Sequence, residues 1–479
     1  MSHSTPDATA PRDVVAVSFA AIVLAMLPAV LDQTILATAL STIASALGSL
    51  TDVSWVVTAY VVAAAASTPL WGKLGDRHGR KRLLELSLAL FLGASALCGV
   101  AQDITMLVVS RVVQGVAAGG LMTLAMASVA DIVEPRERGR YQGYVAATFA
   151  VATIAGPLLG GLIVEHIGWR WVFYVNLPLG LAALAGLHTR LPAPPVEPGT
   201  HRLDLPGAGL LAAATCALML ACVWGGDRYA WGSATILGLL GAAAALGTLL
   251  VVRERRVADP VVPLDLLRTR TVALASAALF VATATLFSIN VFVPLFLQVT
   301  TGASPTEAGL LLVPAMLGIT LSTNLAGRAI AKTGRYRAYP AVGLALMTAG
   351  LALLAVVTGD PSRTTTGIGL AVFGLGFGLV GQVLVVAVQN DVPRTRLGVA
   401  MATTTFFRGL GGAIGAAALG AVFASRAGTA ATPQEVIDGV QAVFLVAAPL
   451  AAIGLLIALF LPDSRPATVS TTPIQGATR

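Results

Sequence analysis

The stretch PAVLDQTILATAL, residues 28–40, sets a carboxylate, Asp32, inside a long apolar run. An unpaired charge in hydrocarbon costs several kcal/mol or more, so a retained acid needs a partner or a task. The chain holds 23 acidic residues, and all but Asp32 fall in loops, tails or at the ends of apolar runs. A cation at matching depth exists in Arg111, which opens RVVQG (111–115). Asp32 lies about eight residues, roughly 12 Å, from the end of its run; Arg111 lies about seven residues, roughly 10 Å, from the start of a run of opposite direction. An ion pair between them lowers the cost of both charges. The guanidinium favours the ionised carboxylate, while loss of water favours the neutral acid. A group held between those pulls suits binding and release of a proton. A static structural pair is the other reading of the same residues. No histidine competes for the role, because His3, His78, His166, His188 and His201 all sit in loops or at run ends.

The elements that must position these two residues follow from composition. The chain has 479 residues, 56% apolar and 11% charged, with a mean hydropathy of +0.83. Soluble domains carry about 25% charged residues. The pattern is that of an all-α polytopic membrane protein. Apolar runs long enough to cross a bilayer, about 20 residues each, fall near 14–40, 53–71, 83–101, 104–130, 143–165, 171–190, 207–225, 233–252, 272–299, 306–327, 338–358, 364–389, 399–425 and 440–462. That makes fourteen. The first exceeds the ~7–15 residues of a signal-peptide core and reads as an uncleaved helix. Cys98, Cys216 and Cys222 lie in apolar runs, with no disulfide framework or metal-ligand spacing. No metal and no cofactor are expected. Arginine outnumbers lysine 27 to 3 in an Ala- and Gly-rich chain, which suggests a high-GC bacterial genome and hence a bacterial cell (inner) membrane.

The basic residues fix an orientation. With the amino terminus inside, inner segments carry 24 Lys and Arg, against four on outer segments (Arg170, Arg228, Arg363 and Arg426). That bias places both termini in the cytoplasm. It also accounts for the net charge of +7 without nucleic acid. The chain also repeats itself. GKLGDRHGRKR (72–82) returns as GRAIAKTGRYR (327–337), so that Gly72, Gly79, Arg80 and Arg82 recur as Gly327, Gly334, Arg335 and Arg337, while Asp76 becomes Ala331. PRERG (135–139) echoes in PRTRLG (393–398). Both echoes pair run n with run n+8. The division expected is a six-helix half at 1–191, a Pro-rich linker with two extra helices at 192–252, a second half at 253–463 and a cytoplasmic tail at 464–479. Parallel repeats of this kind mark transporters with a midplane site between the halves.

GKLGDRHGRKR, RVVQG, AGPLLGG (155–161), LDQTILATAL and WRWVFYVNLPLG (169–180) together resemble the major facilitator superfamily, and within it the fourteen-helix drug:proton antiporter family. Ser41 departs from the proline common there. The resemblance implies a major facilitator fold with helices arranged 6+2+6. It implies a cytoplasmic gate from Gly72, Asp76, Arg77, Gly79 and Arg80, with Asp76 bonding backbone donors or a neighbouring arginine. Individually, Lys73, Arg80, Lys81 and Arg82 read as topology and lipid contacts. It also assigns Gly156, Pro157, Gly160 and Gly161 to an antiporter motif. In physical terms Gly156 and Gly160 share a helix face that Gly161 widens, small residues let helices approach closely, and the proline permits a kink.

Polar and aromatic residues within the runs mark a substrate cavity: Trp55, Tyr60, Gln114, Phe287, Asn290, Gln382 and Arg408. The function implied is proton-coupled efflux of lipophilic drug-like or antibiotic compounds by alternating access, driven by the proton gradient, with Asp32 and Arg111 as the coupling pair. The partners are such a small molecule, the proton and membrane lipids. A proton-coupled importer of a small organic nutrient is the alternative. An enzyme is not expected, since no intramembrane His–Asp centre occurs. An ATP-driven pump lacks its GxxxxGK[ST] loop.

Overall fold

The computed structural model describes residues 12–47, 53–192, 204–226, 228–257, 259–302, 311–358, 363–427 and 432–462. The expected tail at 464–479 and most of the Pro-rich linker lie outside the described residues. The described residues fold as helices. In chain order the long ones are α1 (Arg12–Leu47), α2 (Ser54–His78), α3 (Arg80–Gly99), α4 (Ile104–Ile132), α5 (Arg138–His166), α6 (Asn176–Arg190), α7 (Leu205–Trp224) and α8 (Ala234–Glu254). They continue as α9 (Arg270–Thr301), α10 (Val313–Thr333), α11 (Ala338–Val357), α12 (Arg363–Asp391), α13 (Leu397–Ala424) and α14 (Pro433–Leu459).

Among the described residues, thirteen candidate spans are long and apolar enough to cross a membrane. The exception is α10, diluted by Thr320, Ser322, Thr323, Asn324 and Arg328. Several boundaries differ from the sequence expectation, α2 for one running on past 71 to His78. Helix α1 continues past Leu40 to Leu47. The sixth run breaks into a short helix, Trp171–Tyr174, and α6.

Local chemistry sets the helix ends. The Asp103 and Ser233 side chains accept the Met106 and Ile236 amides, and Thr432 with Glu435 forms a reciprocal capping box. Gly79, with φ of 92°, makes the tight turn from α2 into α3, a conformation that costs glycine little.

Packing repeats with an offset of eight helices. Within α1–α6 the contacts are α2 on α4, α3 on α4, α1 on α5, α1 on α6, α3 on α6 and α1 on α4. Each returns among α9–α14: α10 on α12, α11 on α12, α9 on α13, α9 on α14, α11 on α14 and α9 on α12. The two sets meet chiefly where α2 crosses α13 and α5 crosses α10. Helix α7 lies on α2 and α13, and α8 packs on α7.

Candidate functional site

Asp32 and Arg111 meet as their depths implied. Both are closed off, at 0% and 1% exposure, and Arg111 Nη1 donates to Asp32 Oδ2 at 2.5 Å. Arg111 Nε donates to the Val56 carbonyl at 2.9 Å, and its guanidinium lies 4.1 Å from the centre of the Tyr60 ring. Gln114, one helical turn on, accepts from Arg111 at 2.7 Å and donates to Asp32 Oδ1 at 3.0 Å. Tyr60 and Gln114, named for the cavity from the sequence, are buried here as walls of this closed site, at 1% and 0% exposure. A second amide completes it. Asn176, at the start of α6, donates to Asp32 Oδ1 at 3.2 Å and to Ser95 Oγ at 3.0 Å. Asn176 lies in WRWVFYVNLPLG, but nothing in that run ties it to Asp32, 144 positions away. Helices α4 and α6 thus both bond one carboxylate of α1. Breaking one partner of such a buried pair costs about 3–5 kcal/mol, because the other charge is left uncompensated.

The glycines of AGPLLGG act on the same helix as Asp32. A Cβ on Gly156 would collide with the side chain of Thr34, and one on Gly160 would lie 2.9 Å from the Ile35 carbonyl oxygen. Helix α5 is thereby pressed onto α1 within two turns of Asp32. Gly161 does not widen this face: a Cβ there meets nothing within 4 Å. Pro157 faces outward and is exposed.

At the end of the bundle that carries the basic loops, Asp76 caps α13. Its Oδ1 accepts the Gly398 amide at 2.8 Å and its Oδ2 the Val399 amide at 2.9 Å. Those are orphan donors of a first helical turn, where a negative charge is also favoured by the helix dipole. Arg80 clamps the arrangement, donating to Asp76 at 2.7 Å, to Asp131 and to the Arg394 carbonyl. Across the bundle Arg138 donates to the Gln389 carbonyl at 2.5 Å and to Asn390 Oδ1 at 2.8 Å, while Gln389 donates to the Met126 carbonyl at 3.0 Å.

Both helix crossings are glycine on glycine. A Cβ on Gly72 would stand 2.5 Å from the Gly398 carbonyl oxygen, and one on Gly139 2.9 Å from the Gly327 Cα. Gly327 is the repeat of Gly72, so the two crossings are images of one another. Lys73 and Lys81 are more than topology markers: Lys73 pairs with Asp259, and Lys81 donates to the Leu191 carbonyl at 2.7 Å and to the His188 carbonyl at 2.9 Å. Arg77 is half-buried.

The remaining cavity residues scatter. Trp55 packs edge-on against Trp224 of α7, with ring centres 5.3 Å apart. Phe287 is half-buried beside Phe292, Asn290 is exposed, and Gln382 is buried with an unpartnered Oε1. Arg408 is half-buried on α13. A separate apolar crevice of about 490 Å³ opens between α9, α13 and α14, lined by Leu267, Phe280, Val281, Phe407 and Ile457 among others.

Outside the spans, the linker is anchored by charge. Asp204 accepts the Gly207 amide at 3.0 Å and the Arg253 Nε at 2.8 Å. Burial works against ionisation of Asp204, but Arg253 and the Gly207 amide outweigh it and hold the carboxyl below the usual carboxylate range.

The family model described as Major Facilitator Superfamily matches residues 22–416. An uncharacterized MFS-type transporter of Mycobacterium tuberculosis is 38% identical over 423 residues, which is 87% of this chain and 61% of that relative's length. The chain thus spans about three fifths of that relative. The multidrug transporter protein MdtP of Bacillus subtilis is 33% identical over 457 residues, covering 92% of this chain and 83% of MdtP. Among solved structures, the human organic anion transporter MFSD10 superposes with a TM-score of 0.65 at 18% identity, over 93% of this chain and 99% of that one; likeness at that identity speaks for the fold alone. With repeated helix pairing, glycine crossings at the basic end and a family match over most of its length, the chain belongs to the major facilitator superfamily, a family of membrane transporters and not of enzymes.

Proposed function

We propose that this transporter exports lipophilic drug-like or antibiotic molecules in exchange for a proton. The observation that carries the reading is the Asp32 site: a fully enclosed carboxylate between one guanidinium and two carboxamides. Such a group takes up a proton only when its surroundings change, which is what exchange requires. Arginine stays protonated at any physiological pH, so Asp32 is the carrier and about one proton moves per cycle. Relatives named as multidrug transporters and efflux pumps support the export direction. The resemblance of AGPLLGG (155–161) to an antiporter motif points the same way.

The division expected from the sequence, halves at 1–191 and 253–463 around an inserted pair, supplies the moving parts. Closure through Asp76, Arg80 and Arg138 at the basic end, opposed by opening at the other, gives alternating access. The charge bias puts that end in the cytoplasm of a bacterial cell. Proton-coupled import of a nutrient uses the same fold and is the reading to exclude. Proteoliposomes with an imposed pH gradient, tested with a panel of lipophilic compounds, decide between them. Movement of compound against the proton flow supports export, and movement with it supports import.

A further inference from the structure

Arg408 is left over when the Asp32 site and the gate at the basic end are accounted for. It lies near the middle of α13, and its guanidinium has no ion pair or hydrogen bond among the described residues. Thr283 Oγ1 donates to the Arg408 carbonyl at 2.8 Å, which fixes the backbone and not the charge.

The faces of α13 show where the side chain points. Gly398 and Ala402 meet Gly72 of α2, Gly411 and Gly415 meet Phe280 and Ala284 of α9, and Leu410 packs with Met219 of α7. At 3.6 residues per turn, Arg408 and Gly412 occupy the sector between the α9 and α2 contacts, opposite Leu410 and α7. A Cβ on Gly412 or on Gly409 would meet nothing within 4 Å. The guanidinium therefore faces open space on the inner side of α13. Phe287, one turn beyond Thr283 on α9, is half-buried. Asp32 and Arg111 cancel one another, so among the described residues Arg408 is a deep charge left uncompensated.

We propose that Arg408 is the recognition point for a carboxylate on the transported molecule, and that the preferred substrates are lipophilic carboxylic acids in their ionised form. The assignment rests on the export reading above. A planar guanidinium takes a carboxylate through two parallel hydrogen bonds. An unpaired charge at this depth is costly, and an anionic substrate removes that cost on arrival. A lipophilic cation would meet like charge instead. Exchange of one inward proton for one outward monoanion moves two charges, so a potential of ~60 mV changes the limiting gradient by roughly 100-fold.

The test is equilibrium dialysis of the full-length protein in detergent with naphthylacetate, its methyl ester and tetraphenylphosphonium, followed by transport of the same three in proteoliposomes. The wild type is expected to bind the acid at least tenfold more tightly than the ester. Arg408→Gln is expected to erase that ratio, and Arg408→Lys, which keeps the charge but loses the two parallel hydrogen bonds, to retain only part of it. An acid-to-ester ratio near one in the wild type, or unchanged in Arg408→Gln, overturns the assignment. If the ester or the cation is exported without any preference for the acid, the assignment fails and export stands. If the acid is preferred in binding but none of the three moves under a pH gradient, the export reading fails and takes the transport role of Arg408 with it.

Discussion

Asp76 accepts a 2.8 Å hydrogen bond from the backbone amide of Gly398, 322 positions along the chain, and thereby ties the end of α2 to the start of α13. A charged cap of this kind contributes about 1–2 kcal/mol, enough to change a two-state population roughly 5- to 30-fold. Asp76→Ala is therefore expected to open the basic end. Spin labels at His78 and Arg335, one in each repeat, should report a longer distance population. An unchanged distribution would show that the cap does not hold the gate.

The two glycine crossings give a second, independent handle. Gly139→Val and Gly327→Val place methyl groups where the backbones of α5 and α10 meet. Overpacking typically costs about 1–3 kcal/mol. Both variants are expected to shift the same label pair in the same direction as Asp76→Ala and to lower the transport rate. Normal closure in both would mean that α5 and α10 need not touch.

The linker anchor sets a pH signature. Asp204 titrates below the ordinary range when folded, so its charge stabilises the native state above the unfolded value of about 3.9. That contribution is lost as pH falls through the lower native value. Asp204→Asn keeps the helix cap and removes the charge. Its melting temperature in detergent should fall below wild type at pH 7, with the gap closing below about pH 4. A gap independent of pH would assign the loss to shape and not to charge.

The basic loops predict an orientation with both termini inside. In a background lacking Cys98, Cys216 and Cys222, cysteine at position 230 should react with a membrane-impermeant maleimide added to whole cells. Cysteine at position 256 should react only after permeabilisation. The reverse pattern would invert the topology and, with it, the direction of export.

The depth of Asp32 and of Arg111 could be read from hydropathy alone, because charges inside apolar runs are few and each must be compensated. At the basic end the residues were legible but their contacts were not. The Asp76 carboxylate binds backbone amides, which every residue but proline carries, so no side-chain pattern points to Gly398 or Val399. Asn176 was hidden for a related reason, since a carboxamide at a helix start is common and only the packing of α6 on α1 brings it to Asp32. Polarity within a span marked Tyr60 and Gln114 as interior to the bundle, and the structure buries both. Gly161 follows Gly160 in sequence but points 100° away around the helix.

The Asp32→Asn variant puts the central claim to its most direct measurement. The amide keeps the shape of the site but cannot release a proton. Proton release on substrate addition, followed in weakly buffered detergent solution, should amount to about one proton per wild-type molecule and vanish in the variant. Substrate binding should persist, and accumulation against a pH gradient in proteoliposomes should be lost. Undiminished proton release by Asp32→Asn, together with pH-driven accumulation, would contradict the account and make Asp32 a structural residue.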